Sequence, residues 1–301
     1  MAKKKDINRM SVEKEFANIF NEIGKQDFKS QAELENYLNN LMGKKLESTP
    51  IGESKKEQAQ DLIYQAYDLP ISEGKKLIAK AMKLDPDNAD SYIYFAEIEP
   101  DINKSIDFYE IAVETGKKSL GKKMFIDNKG HFWGIFETRP YMRARAGLAD
   151  CLQALGENDK AIHEYQEMLE LNPNDNQGVR YLLATLLLKQ NNNKDYENLL
   201  KEFEDDASAV WIYNLALYSF KKEGISKNSE NTLLEAFRCN QHVVDYMLGN
   251  KKMPEELPEY IGRGDENEAI ACVKDTWSLW DKTKGAFDWL YDFKQKRQLM
   301  N

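Results

Sequence analysis

The sequence is short of the residues that break chains into tight turns or staple small folds together. Sixteen glycines and eight prolines in 301 residues are too few for a turn-rich β protein. No stretch is rich enough in Val, Ile and Thr to suggest a sheet. The three cysteines, Cys151, Cys239 and Cys272, are odd in number and far apart, which argues against a disulfide frame and for thiols in a reducing compartment. Histidine is equally scarce. His131, His163 and His242 include no pair at the i, i+4 spacing of a helical zinc motif, so no metal site is expected. Gly262-Arg263-Gly264 follows no strand and lacks the Lys-Ser/Thr of a phosphate loop. No cofactor is therefore expected. There is no apolar leader after Met1 and no apolar run near the ~20 residues a membrane span needs. The chain is read as cytoplasmic, with no membrane role. A net charge of −9 also lacks the basic surplus that grips nucleic acid. Lys3-Lys4-Lys5 is the only dense basic cluster, and it reads as a solvated tail.

What is abundant is helix-forming. Leu, Ala, Glu, Lys and Gln recur throughout, so the class is all-α. Residues 1–10 read as a disordered lead. An amphipathic helix carrying Val12, Phe16, Ile19, Phe20 and Ile23 follows, and stops near Gly24. A second helix opens on the capping-box pair Ser30 and Glu33 and carries Leu34, Tyr37, Leu38 and Leu41 before Gly43. The turn residues of 47–54 mark a linker. Residues 1–53 thus read as an N-terminal helical hairpin and linker.

From Ser54 onward a period of roughly 34–38 residues emerges, in the range of helical repeat arrays. Its clearest unit runs from Tyr141 to Pro173. One helix holds Ala144, Leu148, Ala149 and Leu152; Gly156-Glu157-Asn158-Asp159 turns the chain; a second helix holds Ala161, Tyr165, Met168 and Leu169. Small residues at Ala149 and Ala161 allow close helix approach, and Pro173 ends the unit because it cannot continue a helix. Upstream, Ala81, Leu84, Asp85 and Pro86 repeat the spacing of Met168, Leu171, Asn172 and Pro173. Tyr92, Phe95 and Ala96 then face Ser105, Tyr109 and Ala112. Downstream, Val179, Leu182, Leu183 and Leu186 precede Leu199, Leu200 and Phe203, and Trp211, Leu215 and Tyr218 precede Leu233, Ala236 and Phe237.

This spacing resembles the tetratricopeptide repeat family over 54–241. The resemblance implies an α-solenoid of about five helix pairs, with an insertion at 117–137 and a C-terminal helical cap over 242–301. In the cap, Ala269, Ile270, Val273, Trp277 and Trp280 would cover the end of the array, as terminal units of a solenoid must. The C-terminal half is also similar to the suppression-of-tumorigenicity 7 family and its bacterial and plant relatives. That similarity runs through Ala236-Phe237-Arg238-Cys239-Asn240-Gln241-His242-Val243, Arg263-Gly264-Asp265 and Gly285-Ala286-Phe287. It implies no catalytic residue. Animal members carry N-terminal membrane segments, which have no counterpart in this sequence.

Tetratricopeptide arrays line a concave groove with the first helix of each pair. Carried onto this sequence, the lining is Asp90, Ile93 and Glu97; Arg143, Asp150 and Gln153; Gln177, Arg180 and Leu187; and Ile212. Ala146 and Asp150 stand where chaperone-binding relatives carry the Lys and Asn of a carboxylate clamp, so that clamp is absent. Arg143 and Arg180, as planar forks, are the candidates to orient an acidic ligand. The segment 130–141 packs His131, Trp133, Glu137 and Arg139 into a few residues. It reads as a structured plug, or as a lip over the groove using His131, Trp133 and Arg139. The expected function is a non-enzymatic interaction module or adaptor that binds a peptide or protein segment. The alternative is a structural subunit of a homo-oligomer or complex, using Trp277, Trp280 and Trp289. A small-molecule sensor or enzyme built on 130–141 is the remote third reading.

Overall fold

The computed structural model describes residues 3–24, 26–41, 54–258 and 260–299. Among them are fifteen α-helices, packed in adjacent pairs, and no strand. The all-helical class and the tetratricopeptide-like pairing agree with the sequence reading. The chain forms two compact units, Met1–Gly156 and Glu157–Asn301.

The first unit holds α1 (Lys3–Gly24), α2 (Gln31–Leu41), α3 (Lys55–Tyr67), α4 (Ile71–Leu84), α5 (Ala89–Ile98), α6 (Ile102–Asp127) and α7 (Arg139–Ala154). Ser54 and Glu57 start α3 with a reciprocal capping box. Of the linker expected at 47–54, only Ser54 lies within the described residues. At α2 the expected pair is only half formed. Ser30 Oγ accepts from Glu33 N at 3.3 Å, but the Glu33 carboxylate turns to the Lys29 N–H at 2.9 Å. Ile63, Tyr67, Ile78, Ala81 and Tyr94 join α3, α4 and α5 in one apolar core. The first helices of successive pairs are neighbours: α3 touches α5, and α5 touches α7.

One expectation for the N-terminus is corrected. The expected disordered lead is helical from Lys3, since Lys, Asp and Asn without Gly or Pro do not bar a helix, and Met10 anchors it in the core. α1 docks mainly through Met10, Glu13 and Asn18, and Phe20 also meets the Phe136 ring edge-on at 5.1 Å between centroids. Val12, Phe16 and Phe20 stay 45%, 46% and 55% exposed, while Met10, Glu13 and Asn18 are 4%, 7% and 7% exposed.

The insertion at 117–137 is partly a continuation of α6, which runs on past Gly116 and breaks at Gly121 (φ 67°, ψ 160°). Glycine alone takes that conformation without strain. Two 3-10 turns, Phe132–Gly134 and Phe136–Thr138, lead into α7. Phe132 is wholly buried, with ring centroids 5.0 Å from Phe125 and 6.3 Å from Tyr141.

The second unit holds α8 (Asn158–Leu171), α9 (Val179–Lys189), α10 (Asn193–Glu202), α11 (Ala209–Glu223), α12 (Lys227–Cys239), α13 (His242–Met247), α14 (Glu266–Asp281) and α15 (Ala286–Gln298). α8 ends just before Asn172-Pro173. Asp175, at φ 45°, then caps α9 by accepting from the N–H groups of Val179 (2.7 Å) and Arg180 (3.0 Å). α14 packs on α9, α11 and α13, and covers the first-helix face of this unit. The wholly buried Trp280 stacks with Trp289 at 6.1 Å, and Trp289 with Phe220 at 4.6 Å. Of the three tryptophans expected at an oligomer surface, two are therefore core residues, and only Trp277 is exposed.

Candidate partner-binding face

The face made by α3, α5 and α7 centres on Arg143. Asp90, at the start of α5, has its backbone N–H held by the Asn88 cap, which aims its carboxylate along the helix face. Arg143, in the first turns of α7, meets it as a fork. Nε reaches Oδ1 at 3.1 Å, and Nη2 reaches Oδ1 at 2.8 Å and Oδ2 at 2.6 Å. Gln60 of α3 donates to Asp90 Oδ2 at 2.9 Å and accepts from Asn88 at 2.9 Å. Three successive first helices are thus tied through one polar network.

The remaining donor of the fork points to α1. Arg143 Nη1 donates to Glu13 Oε2 at 2.5 Å, and Tyr64 Oη to Glu13 Oε1 at 3.4 Å. Burial opposes the charge on Arg143, but Asp90 and Glu13 together overcome it and hold the guanidinium above its ordinary range. Burial, reinforced by Glu13, pushes the Tyr64 phenol up, so it stays protonated and able to donate. Arg143 Nη1 and Tyr64 Oη therefore form a two-donor seat for a carboxylate, from α7 and α3.

α1 fills this seat without filling the face. Met10 belongs to the same buried apolar core as Ile63 and Tyr64, a burial of about 1.5–3 kcal/mol for a side chain of that size. Against it, Asn18 Oδ1 is buried and accepts no hydrogen bond among the described residues, a cost of about 1–3 kcal/mol. Beside α1 lies a cavity of about 520 Å³, lined by Ala17 and Phe20 of α1 and by Lys56, Gln60, Met124 and Tyr141 among others.

The residues expected to line the groove divide sharply. Asp90 and Arg143 are brought together, yet as partners of each other, and Arg143 is only 8% exposed. Ile93 and Leu187 are core residues, because the apolar run of α5 and of α9 turns them inward. Glu97 is half-buried beside Tyr67, where burial first and this carboxylate second push the phenol up. Asp150 is exposed; Gln153, Gln177 and Ile212 are half-buried. Arg180 is not free to meet a ligand. Its Nε reaches Asp206 at 2.6 Å, its Nη1 reaches Asp175 at 2.8 Å, and it lies 4.2 Å over the Tyr181 ring. The pairing of Arg143 and Arg180 on one acidic ligand is thus corrected, since each is occupied within its own unit.

In the insertion, His131 is exposed, while Trp133 and Arg139 are half-buried. Arg139 is held within the segment itself. Its Nε donates to the Trp133 carbonyl at 3.0 Å, and its guanidinium lies 4.1 Å from the Phe136 ring centroid. Glu13, Tyr64 and Gln60 were missed from the sequence. Glu13 and Arg143 are 130 residues apart, and no local pattern links them. Burial pushes all three thiols up, and Cys272 is fully enclosed. Among the described residues no group of His, Cys, Asp and Glu is placed to hold a metal.

Residues 143–175 match the tetratricopeptide repeat. The match begins at Arg143 itself and covers the rest of α7, the turn at Gly156 and α8 through Asp175. A repeat of this kind points to protein interaction and to a protein partner in general. No curated protein matches the chain, and nothing in these comparisons supports the likeness of the C-terminal half to the suppression-of-tumorigenicity 7 family. No helix among the described residues is long and apolar enough to cross a membrane.

Proposed function

We propose that the chain is a non-enzymatic interaction module that takes a helical segment of a protein partner on the α3–α5–α7 face. The observation that carries this is the carboxylate seat of Arg143 Nη1 and Tyr64 Oη, built by first helices of two pairs and already occupied by a side chain from a separate helix. An amphipathic helix laid in a groove is an established mode of recognition. Here the seat supplies register, and Leu120, Met124, Phe136 and Tyr141 in the otherwise polar wall of the adjoining cavity supply apolar contact. The array of about five pairs over 54–241 is part of the same reading, and the repeat match at 143–175 supports it. A binding role without catalysis is supported by thiols pushed up by burial, which disfavours the nucleophilic thiolate. Work in the cytoplasm is supported by three free cysteines.

The test is site-specific photo-crosslinking in the native cell. A crosslinking residue replacing Gln153, on α7, should capture a discrete protein. The same residue replacing the exposed Lys80, on α4, should not. Equal capture from both positions, or capture only from Lys80, would show that the first-helix face is not the binding surface.

A further inference from the structure

The helix that occupies the seat belongs to this chain; the Glu13–Arg143 and Lys14–Asp61 pairs hold it, yet it leaves Val12 and Phe16 exposed and a cavity open beside it. We propose that α1 is a displaceable internal occupant of the α3–α5–α7 face, and that the partner is an amphipathic helix placing a carboxylate where Glu13 now lies. The proposal rests on the protein-binding reading above and names the partner's chemistry and its competitor.

Three features of α1 point this way. First, its inner face follows a ligand-like pattern, with Met10, Glu13 and Ala17 at helical spacing, apolar then acidic then small, directed at Tyr64, Arg143 and the adjoining wall. Second, it is the wrong face for a permanent core element. Val12 and Phe16 look outward and Phe20, 55% exposed, meets the Phe136 ring edge-on, while Glu13 and Asn18 are taken from water, Asn18 without a partner for its Oδ1 among the described residues. Third, a cavity of about 520 Å³ stays open between α1 and the wall that includes Lys56, Met124 and Tyr141. A helix with a larger apolar residue in place of Ala17 would gain contact that α1 lacks.

The seat also selects charge. With Arg143 already forked on Asp90, only the Nη1 donor and the Tyr64 hydroxyl remain for a ligand. An incoming acidic side chain satisfies both, whereas a basic one meets the guanidinium at close range. A helix with one carboxylate at this register is therefore accepted, whereas a basic residue there is refused and a helix acidic throughout would meet Glu57, Asp85, Asp87 and Glu137 around the adjoining cavity.

The experiment uses a fluorescein-labelled synthetic peptide of residues 8–24 and the full chain. The chain carries either its natural α1 or the double substitution Met10→Asp and Glu13→Lys, both placed on α1 so that the Arg143–Asp90 pair is untouched. Opening α1 removes the internal competitor, so anisotropy should show at least ~10-fold tighter peptide binding to the substituted chain. A peptide carrying Glu13→Lys should bind neither chain. Circular dichroism checks that the substituted chain keeps its cooperative transition; if it does not, the single Glu13→Gln chain is used, with a smaller gain expected.

Equal affinity for both chains, no binding to the folded substituted chain, or binding that survives Glu13→Lys in the peptide overturns the proposal. Conversion of a dimer to a monomer by the peptide, read by light scattering, assigns the seat to a second copy and overturns the internal arrangement. If the peptide fails while crosslinking from Gln153 persists, the displaceable helix is wrong and the interaction module stands. If crosslinking fails while the peptide binds, the seat is internal only.

Discussion

Arg143 and Asp90 form a buried forked ion pair across α7 and α5, with two guanidinium nitrogens sharing both carboxylate oxygens at 2.6–3.1 Å. Asp90 is wholly buried, so neither charge can be left alone cheaply. Breaking such a pair from one side costs about 3–5 kcal/mol. Arg143→Ala and Asp90→Ala should each lower unfolding free energy by that order in urea titration. The double substitution should cost clearly less than the sum. Additive losses would mean the pair contributes nothing as a pair.

Gly147 on α7 faces the Tyr109 ring of α6 so closely that an added Cβ would stand 2.2 Å from it. Gly147→Ala improves helix propensity by about 1 kcal/mol, yet must push the ring aside at about 1–3 kcal/mol. The expected net result is a lower melting temperature despite the better helix former. A rise would show that the helices are not in this contact.

Much of the repeat was legible in the sequence, because the spacing of Leu148, Ala149, Leu152, Ala161 and Tyr165 reports local helix faces, and all five are buried. Gly147, next to that stripe, carried no such signal, since a lone glycine in a helix reads as a weakness until its neighbour is known. α1 misled for a different reason. Val12, Phe16 and Phe20 form its most apolar stripe, but Met10 and Glu13 meet tertiary partners that no local pattern shows. Leu187 was placed on the groove by its register, whereas the run from Leu186 to Leu188 buries it.

Trp280 and Trp277 separate core from surface on one helix. Trp280→Ala should cost about 3–5 kcal/mol, because its indole is wholly enclosed by Tyr213 and Trp289 among others. Trp277, at 43% exposure, should cost much less in the same denaturation assay. A loss at Trp277 as large as that at Trp280, appearing only at high protein concentration, would revive the oligomer reading.

Asp206 provides a pH signature in the second unit. Burial pushes its carboxyl up, but the Ser208 N–H at 2.8 Å and Arg180 Nε at 2.6 Å overcome that and hold it below its ordinary value, roughly 3.9 for a free aspartate. A depressed folded value means the native state binds the proton less readily than the unfolded chain. The stabilisation is thus complete above that ordinary value and fades as pH falls through the lower folded one. The stability gap between the natural chain and Asp206→Asn should be flat from about pH 5 to 8 and close in stronger acid. A gap that widens on acidification would contradict the assignment.

Hydrogen exchange along the full chain, with and without a saturating peptide of residues 8–24, measures most directly whether α1 and an external helix share one place. Amides of α1 should lose protection when the peptide is added, while those of α3, α5 and α7 keep theirs. Unchanged protection in α1, or new protection confined to elements away from Tyr64 and Arg143, would contradict the account.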